Sequence, residues 1–143
     1  MKFSKLFLSV VILSSVLFFS CKKKVAQMSL NDSNSAYISG DTFDFGTITK
    51  GAISANDKTI DFVLSSNGTK KLAVSSLKLE GTNADMYKLT TDFTSGDIEA
   101  EKSIKFSITL LSAVIGSPTA NITIVSDAKD SPNFVLNLTG TVQ

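Results

Sequence analysis

One thiol, thirteen carboxylates, fourteen lysines and no imidazole make up the reactive inventory of this chain. Without histidine, both the commonest general base near neutral pH and the commonest transition-metal ligand are missing, so catalysis would have to run on carboxylates, lysine, serine or tyrosine. Asp41 with Asp44, Asp57 with Asp61, and Asp127 with Asp130 fall near expected strand ends, where paired carboxylates are able to share a calcium ion. Aspartate is equally a turn residue for local hydrogen-bonding reasons, and the chain has no twelve-residue calcium loop, so no metal ligand is assigned. Asp97, Glu99 and Glu101 are close enough in sequence to suggest an acid/base pair. Carboxylate catalysis needs two groups in different environments with substrate between them, which neighbouring exposed acids in a turn do not supply. The chain is therefore read as a non-enzyme, with no catalytic residue, no cofactor and no small-molecule substrate.

Three further motifs have simple structural explanations. Asn67-Gly68-Thr69, Asn121-Ile122-Thr123 and Asn137-Leu138-Thr139 match the glycosylation sequon, but Asn and Thr at outward strand positions account for them. Every cation is lysine, whereas nucleic-acid recognition relies on a basic face with arginine for bidentate contacts. A nucleic-acid partner is not expected. Sugar platforms need exposed aromatic rings, and with no tryptophan only Tyr37, Tyr87 and Phe93 offer one.

The single thiol stands at the end of a leader. Lys2 and Lys5 form a positive n-region, Leu6 to Phe19 an uninterrupted apolar and small-residue stretch, and Ser20 a small residue of the kind signal peptidases require before a cut. Spanning ~30 Å of hydrocarbon takes ~20 apolar residues, and Lys22-Lys23-Lys24 closes the stretch well short of that. A secretory signal fits better than a membrane span.

Phe18-Phe19-Ser20-Cys21 resembles the lipobox of bacterial lipoproteins, although members of that family prefer Leu at the position of Phe18 and a small residue at that of Phe19. The resemblance implies that residues 1–20 are removed as a lipoprotein signal peptide and that Cys21 takes a diacylglycerol, with palmitate-type acylation of its new amine. It also implies a membrane partner for the acylated Cys21 and residence in the bacterial cell envelope. Lys22 rather than Asp after the cysteine resembles outer-membrane sorting; which face of that membrane the domain occupies is left open. Lys22 to Lys24 would then lie at the bilayer surface, each adding ~1 kcal/mol of attraction to anionic headgroups. From Leu30 onward nine lysines face the same thirteen acids, so the positive charge gathers beside the anchor and the domain is mildly acidic.

The chain beyond the leader is of single-domain size, and with no second cysteine it must rest on apolar packing and hydrogen bonds alone. Residues 21–36 read as a polar tether, in which Ala26, Met28 and Leu30 alternate as a short first strand would. Residues 37–143 read as the domain. Its hydrophobic period is two throughout. Phe43 and Phe45 alternate until Gly46; Ile60, Phe62 and Leu64 share a face; Leu72 and Val74 fall out of phase with Leu77 and Leu79, which predicts a bulge or corner at Ser75-Ser76. Asn67-Gly68 between two alternating runs is the strongest hairpin signal in the chain. Tyr87 and Leu89 make a short strand, and Asp92 to Lys102 an acidic connection. Ile104, Phe106, Ile108 and Leu110 give the clearest strand, with Ala120, Ile122 and Ile124 and then Phe134, Leu136, Leu138 and Val142 repeating the pattern. Seven to eight short strands on a chain of this length predict an all-β, Ig-like antiparallel sandwich without the antibody signature of paired cysteines and a core tryptophan.

The order of landmarks resembles the ASH family (abnormal-spindle and hydin-like domains, called choice-of-anchor D in bacterial proteins). The segments that carry the likeness are Phe43-Asp44-Phe45-Gly46-Thr47-Ile48, Ile60 to Leu64 running into Asn67-Gly68-Thr69, Gly81 to Asp85 before Tyr87, Ala120 to Ile124, and Leu136-Asn137-Leu138-Thr139-Gly140-Thr141. The resemblance spans roughly Tyr37 to Val142 and implies an Ig-like sandwich, while saying nothing about activity. Members often carry proline soon after the strand equivalent to Ser103–Leu110, where this chain has Leu111-Ser112-Ala113. The function expected from these readings is a lipid-anchored, non-catalytic protein-interaction or structural module with a protein partner in the envelope or on a host surface. A surface adhesin for host or matrix ligands and a carbohydrate-binding domain are the alternatives.

Overall fold

The structure, a computed structural model, describes residues 23–52 and 55–143. Cys21 and the leader lie outside the described residues. Ten strands succeed one another in chain order: β1 (Met28–Asn31), β2 (Ala36–Tyr37), β3 (Thr42–Ile48), β4 (Lys58–Ser66), β5 (Leu72–Glu80), β6 (Tyr87–Thr90), β7 (Gly96–Ile98), β8 (Ser103–Leu110), β9 (Thr119–Ser126) and β10 (Asn133–Val142). One 3-10 turn, Ala84–Met86, precedes β6. The strands form two five-stranded sheets, β2-β1-β4-β8-β6 and β3-β10-β9-β5-β7. This is the expected Ig-like sandwich, with β1, β2 and β7, of two to four residues each, beside seven further strands.

Alternation decides which side of each strand is buried. Phe62, Leu64, Phe106, Ile108 and Leu110 from the first sheet meet Phe45, Leu72, Val74, Ile122, Ile124, Leu136 and Leu138 from the second, all nearly inaccessible to water. Burying each large apolar side chain stabilises the fold by roughly 1.5–3 kcal/mol. Phe62 stacks on its neighbour Phe106 within the first sheet at 5.5 Å, and Phe43 of the second sheet meets Phe62 edge-on across the layer at 5.4 Å. The phase change in β5 is a bulge: Val74 pairs with Ser126 and Ser76 with Val125, leaving Ser75 over, so Leu77 rejoins Leu72 and Val74 on the core face.

Three local relationships differ from the sequence expectations. Asn67-Gly68 does not close a hairpin, because β4 and β5 belong to opposite sheets and the turn carries the chain across the sandwich. Gly68 does not take up positive φ. Its missing side chain instead admits another backbone, since a Cβ there would lie 2.1 Å from the Val25 oxygen and 2.7 Å from the Gln27 nitrogen. Gly46, read as the end of a strand, lies inside β3 at φ +71°, where the chain bulges while continuing to Ile48. Finally, β3 runs parallel to β10, the one parallel pairing between the named strands. The chain switches sheets between β2 and β3, fixed there by the Gly40 amide to the Val135 carbonyl at 2.8 Å. It therefore reaches β10 already running in the same direction.

Of the two alternatives for the stretch before Tyr37, the structure takes the strand. β1 pairs with β4 from Met28 opposite Ser66 to Asn31 opposite Val63. Leu30 is fully buried and Ala26 nearly so.

Candidate functional site

The six aspartates that the sequence pairs near strand ends are each engaged with protein donors. Asp41 accepts the Ile38 amide at 2.9 Å just before β3, and Asp44 accepts the Gly46 amide at 2.8 Å at the bulge within it, so both shape one edge strand. Asp57 accepts both the amide and the hydroxyl of Ser112, at 2.7 and 2.8 Å, while Asp61 accepts the Ser107 hydroxyl at 2.6 Å. Asp127 accepts the Ala73 amide and pairs with Lys70, each at 2.8 Å. The Lys70 ammonium, then that amide, hold its carboxyl below the usual range. Asp130 accepts the Gln27 side-chain amide at 2.9 Å. Among the described residues no three His, Cys, Asp or Glu side chains come together as metal ligands would.

Asp97, Glu99 and Glu101 are exposed near the β7–β8 connection, with Asp97 paired to Lys71. Glu101 takes φ +63° at the turn into β8, where its amide bonds the Ser66 carbonyl. Of the three, the Asp97 carboxylate joins β7 to Lys71, whereas Glu101 acts through its backbone amide.

The sequon asparagines are strand fasteners too. Asn67 donates to the Ser29 hydroxyl at 2.7 Å, and Asn137 to the carbonyls of Gly40 and Asp41 at 3.0 and 3.2 Å. Asn121 pairs opposite Asn137 in the β9–β10 ladder. Together with Gly81, Thr119, Ala120, Leu138 and Thr139 these last two line a shallow hollow of mixed polarity, about 350 Å³.

The aromatic rings that a sugar would need are turned inward. Tyr87 is buried and donates to the Pro118 carbonyl at 3.0 Å; burial, then the Asp44 charge, push its phenol up to about 12. Tyr37 packs edge-on against Phe43 and donates to Asp32 at 2.9 Å; burial, then that carboxylate, push it likewise to about 12. Burial opposes ionisation of Asp32 as well, but the Asn34 and Ser35 amides and the Tyr37 hydroxyl outweigh it and hold the carboxyl low. Phe93 is half-buried against Gly96. The large hydrophobic residues left exposed are Ile38, Val114 and Ile115, so no aromatic platform faces solvent among the described residues.

Strand edges are closed in different ways. β2, β6 and β7 have only two to four residues each. β3 is longer, but the Lys58 ammonium bonds the Phe45 carbonyl at 2.7 Å and the adjoining Gly46 amide is taken by Asp44. A cation and a bulge on an edge are what discourage a further strand from adding to it.

The two ends of the sandwich contrast. The chain enters beside the Asn67–Lys70 turn and the start of β10, where Val25 N bonds Thr69 Oγ1 at 3.1 Å, Lys70 N bonds Val25 O at 3.2 Å, and Lys129 N bonds Ala26 O at 3.0 Å. The β8–β9 loop lies at the other end, held by reciprocal bonds between Gly116 and Val142 at 3.0 and 2.8 Å. Its Val114 and Ile115 are 58% and 62% exposed. A small hollow of about 80 Å³ beside them is lined by Asp85, Met86, Leu111, Ala113 and Val114. By sequence this loop reads only as a turn; the signal that marks it is a run of apolar residues, Leu111 to Ile115, broken only by Ser112.

No family model matches the chain, and no curated protein does. Among solved structures it is similar to a protein of unknown function from Porphyromonas gingivalis (TM-score 0.59, 15% identity, 82% of this chain and 47% of that one). A family 123 glycoside hydrolase from Clostridium perfringens also matches (TM-score 0.56, 12% identity, 82% of this chain and 27% of that one). So does the ASH / PapD-like domain 7 of human CEP192 (TM-score 0.54, 14% identity, 93% of this chain and 96% of that one). The chain thus spans under half of the first two proteins and nearly all of the third. At these identities the likeness is one of fold, and the fold is an Ig-like sandwich of the shape seen in the ASH / PapD-like domain.

Proposed function

We propose that the protein is an envelope lipoprotein, anchored through acylated Cys21, whose sandwich is a non-catalytic module that binds a protein partner. The observation that carries this reading is the opposition of the two ends: the chain enters at one, and Val114 and Ile115 are exposed at the other. An anchor at the first end leaves the apolar loop farthest from the membrane, about 30 Å away along ten-residue β10. Several features support an interaction role over catalysis: the carboxylates serve as strand ties, the exposed hydrophobics are aliphatic, and the long edge is capped. Partner contact through the loop fits these better than strand addition. An envelope protein and a host or matrix ligand are both compatible partners.

Photocrosslinking from position 114 or 115 in intact cells tests the module, with position 121 on the polar face as comparison. A discrete adduct from the loop alone is expected; equal adducts from both faces, or none from the loop, would reject it. Loss of fatty-acid analogue incorporation in Cys21→Ser tests the anchor independently. Protease shaving of intact cells then separates a surface-exposed domain from an inward-facing one.

A further inference from the structure

We infer that the hollow where the chain enters the sandwich is a contact surface for anionic phospholipid headgroups. This rests on the acylation of Cys21 in the proposed function. Lys23 and Lys129, distant in sequence, line one hollow of about 330 Å³ together with Val25, Gln27 and Thr69. They meet because the Lys129 amide bonds the Ala26 carbonyl and folds the β9–β10 turn over the entering chain. The two ion pairs among the described residues are Lys70–Asp127 and Lys71–Asp97, so both lysines of the hollow are without a carboxylate partner there. Asp130, the acid next in sequence to Lys129, is bonded to Gln27, and Asp127 is engaged by Lys70. The Thr69 hydroxyl accepts the Val25 amide and approaches the Lys23 carbonyl, so it fixes the wall of the hollow and leaves the ammonium groups as its ligand donors.

Chain length makes the ligand a membrane. Val25 is already bonded into the fold, and only four residue steps separate it from Cys21, a reach of at most ~14 Å. An acyl chain on Cys21 therefore keeps the hollow within roughly a Debye length or two of the headgroup layer, where ammonium groups are attracted to phosphate. A tether this short turns two ordinary surface lysines into an orienting contact: the sandwich stands on this end with the Val114 loop outward.

The test uses the acylated full-length protein in vesicles, with a fluorophore on an added cysteine, which labels alone because the one native cysteine is blocked. Asn133→Cys reports the anchor end and Ala113→Cys the far end. In phosphatidylcholine vesicles containing phosphatidylglycerol, a headgroup-linked quencher should reach the first probe and not the second. Quenching of the first should weaken in phosphatidylcholine alone. Lys23→Gln with Lys129→Gln should abolish that difference, with the ratio of docked to undocked protein falling roughly fivefold for each ammonium lost. Equal quenching in both vesicles, or no effect of the double substitution, would overturn the inference. Inorganic phosphate that removes the quenching more effectively than sodium chloride of the same ionic strength would also overturn it, by identifying a free-phosphate site. Failure of the anchor reading looks different: no fatty-acid label, and no recovery with vesicles of either composition.

Discussion

The Gly68 backbone lies against the Val25 carbonyl so closely that a Cβ at position 68 would stand 2.1 Å from that oxygen. This contact joins the crossing from β4 to β5 to the segment that brings the chain into the fold, with Asn67 N to Gln27 O at 3.0 Å beside it. Gly68→Ala must therefore displace Val25 to Gln27 or shift the turn. Overpacking of this kind costs about 1–3 kcal/mol. The expected result is a lower denaturant midpoint with faster amide exchange over Gln27 to Asn31, and unchanged exchange there would refute the account.

Ser112 is fully buried in the β8–β9 loop, and its amide and hydroxyl both donate to one Asp57 oxygen. Replacing Asp57 by Ala leaves two buried donors unpaired, at a cost of about 2–3 kcal/mol. Asp57→Asn retains an acceptor oxygen and should lose less. Chemical denaturation of both variants checks the order; equal stability of all three proteins would show that the bonds contribute nothing net.

Alkaline stability should track the two tyrosines. Both are held neutral in the fold with their ionisation raised from 10 to about 12, so the native state binds protons that the unfolded chain has released. Their contribution is complete below pH 10 and is lost as pH rises from 10 to about 12. Tyr87→Phe should flatten part of that slope while lowering stability at neutral pH by about 1 kcal/mol, through loss of the bond to Pro118. Thermal melts across this range, with tyrosinate absorbance followed in parallel, measure both effects.

Lys58 closes the longest exposed edge by bonding the Phe45 carbonyl. Lys58→Ala frees that acceptor and removes the charge, so concentration-dependent self-association should appear in sedimentation velocity. Gly46 and its bulge remain, which should keep the effect to weak dimers. A strictly monomeric variant would mean that the bulge alone protects the edge.

Much of the sandwich was legible because strand periodicity is a local property. Ile104, Phe106, Ile108 and Leu110 alternate in sequence and do so in space, and the phase slip across Ser75-Ser76 appears as a bulge. The Asn67-Gly68 turn was visible, but what it connects was not, since the same dipeptide serves a hairpin or a crossing between sheets, and the partner that decides, Val25 to Gln27, lies some forty residues upstream. Candidate site residues were less legible still. Aspartates near strand ends look alike whether they bind metal or backbone amides, and Tyr87 reads as an exposed aromatic until Phe45 and Pro118 are packed against it.

The chain by itself determined the all-β class and the alternation that fills the core, because these depend on neighbours along the sequence. Tertiary structure alone decided that β3 runs parallel to β10, that Lys129 shares a hollow with Lys23, and that Val114 and Ile115 are exposed at the end opposite the entering chain. Each joins segments far apart in sequence, and such pairings are selected by how the whole set of apolar faces can be buried at once, a condition no local stretch contains.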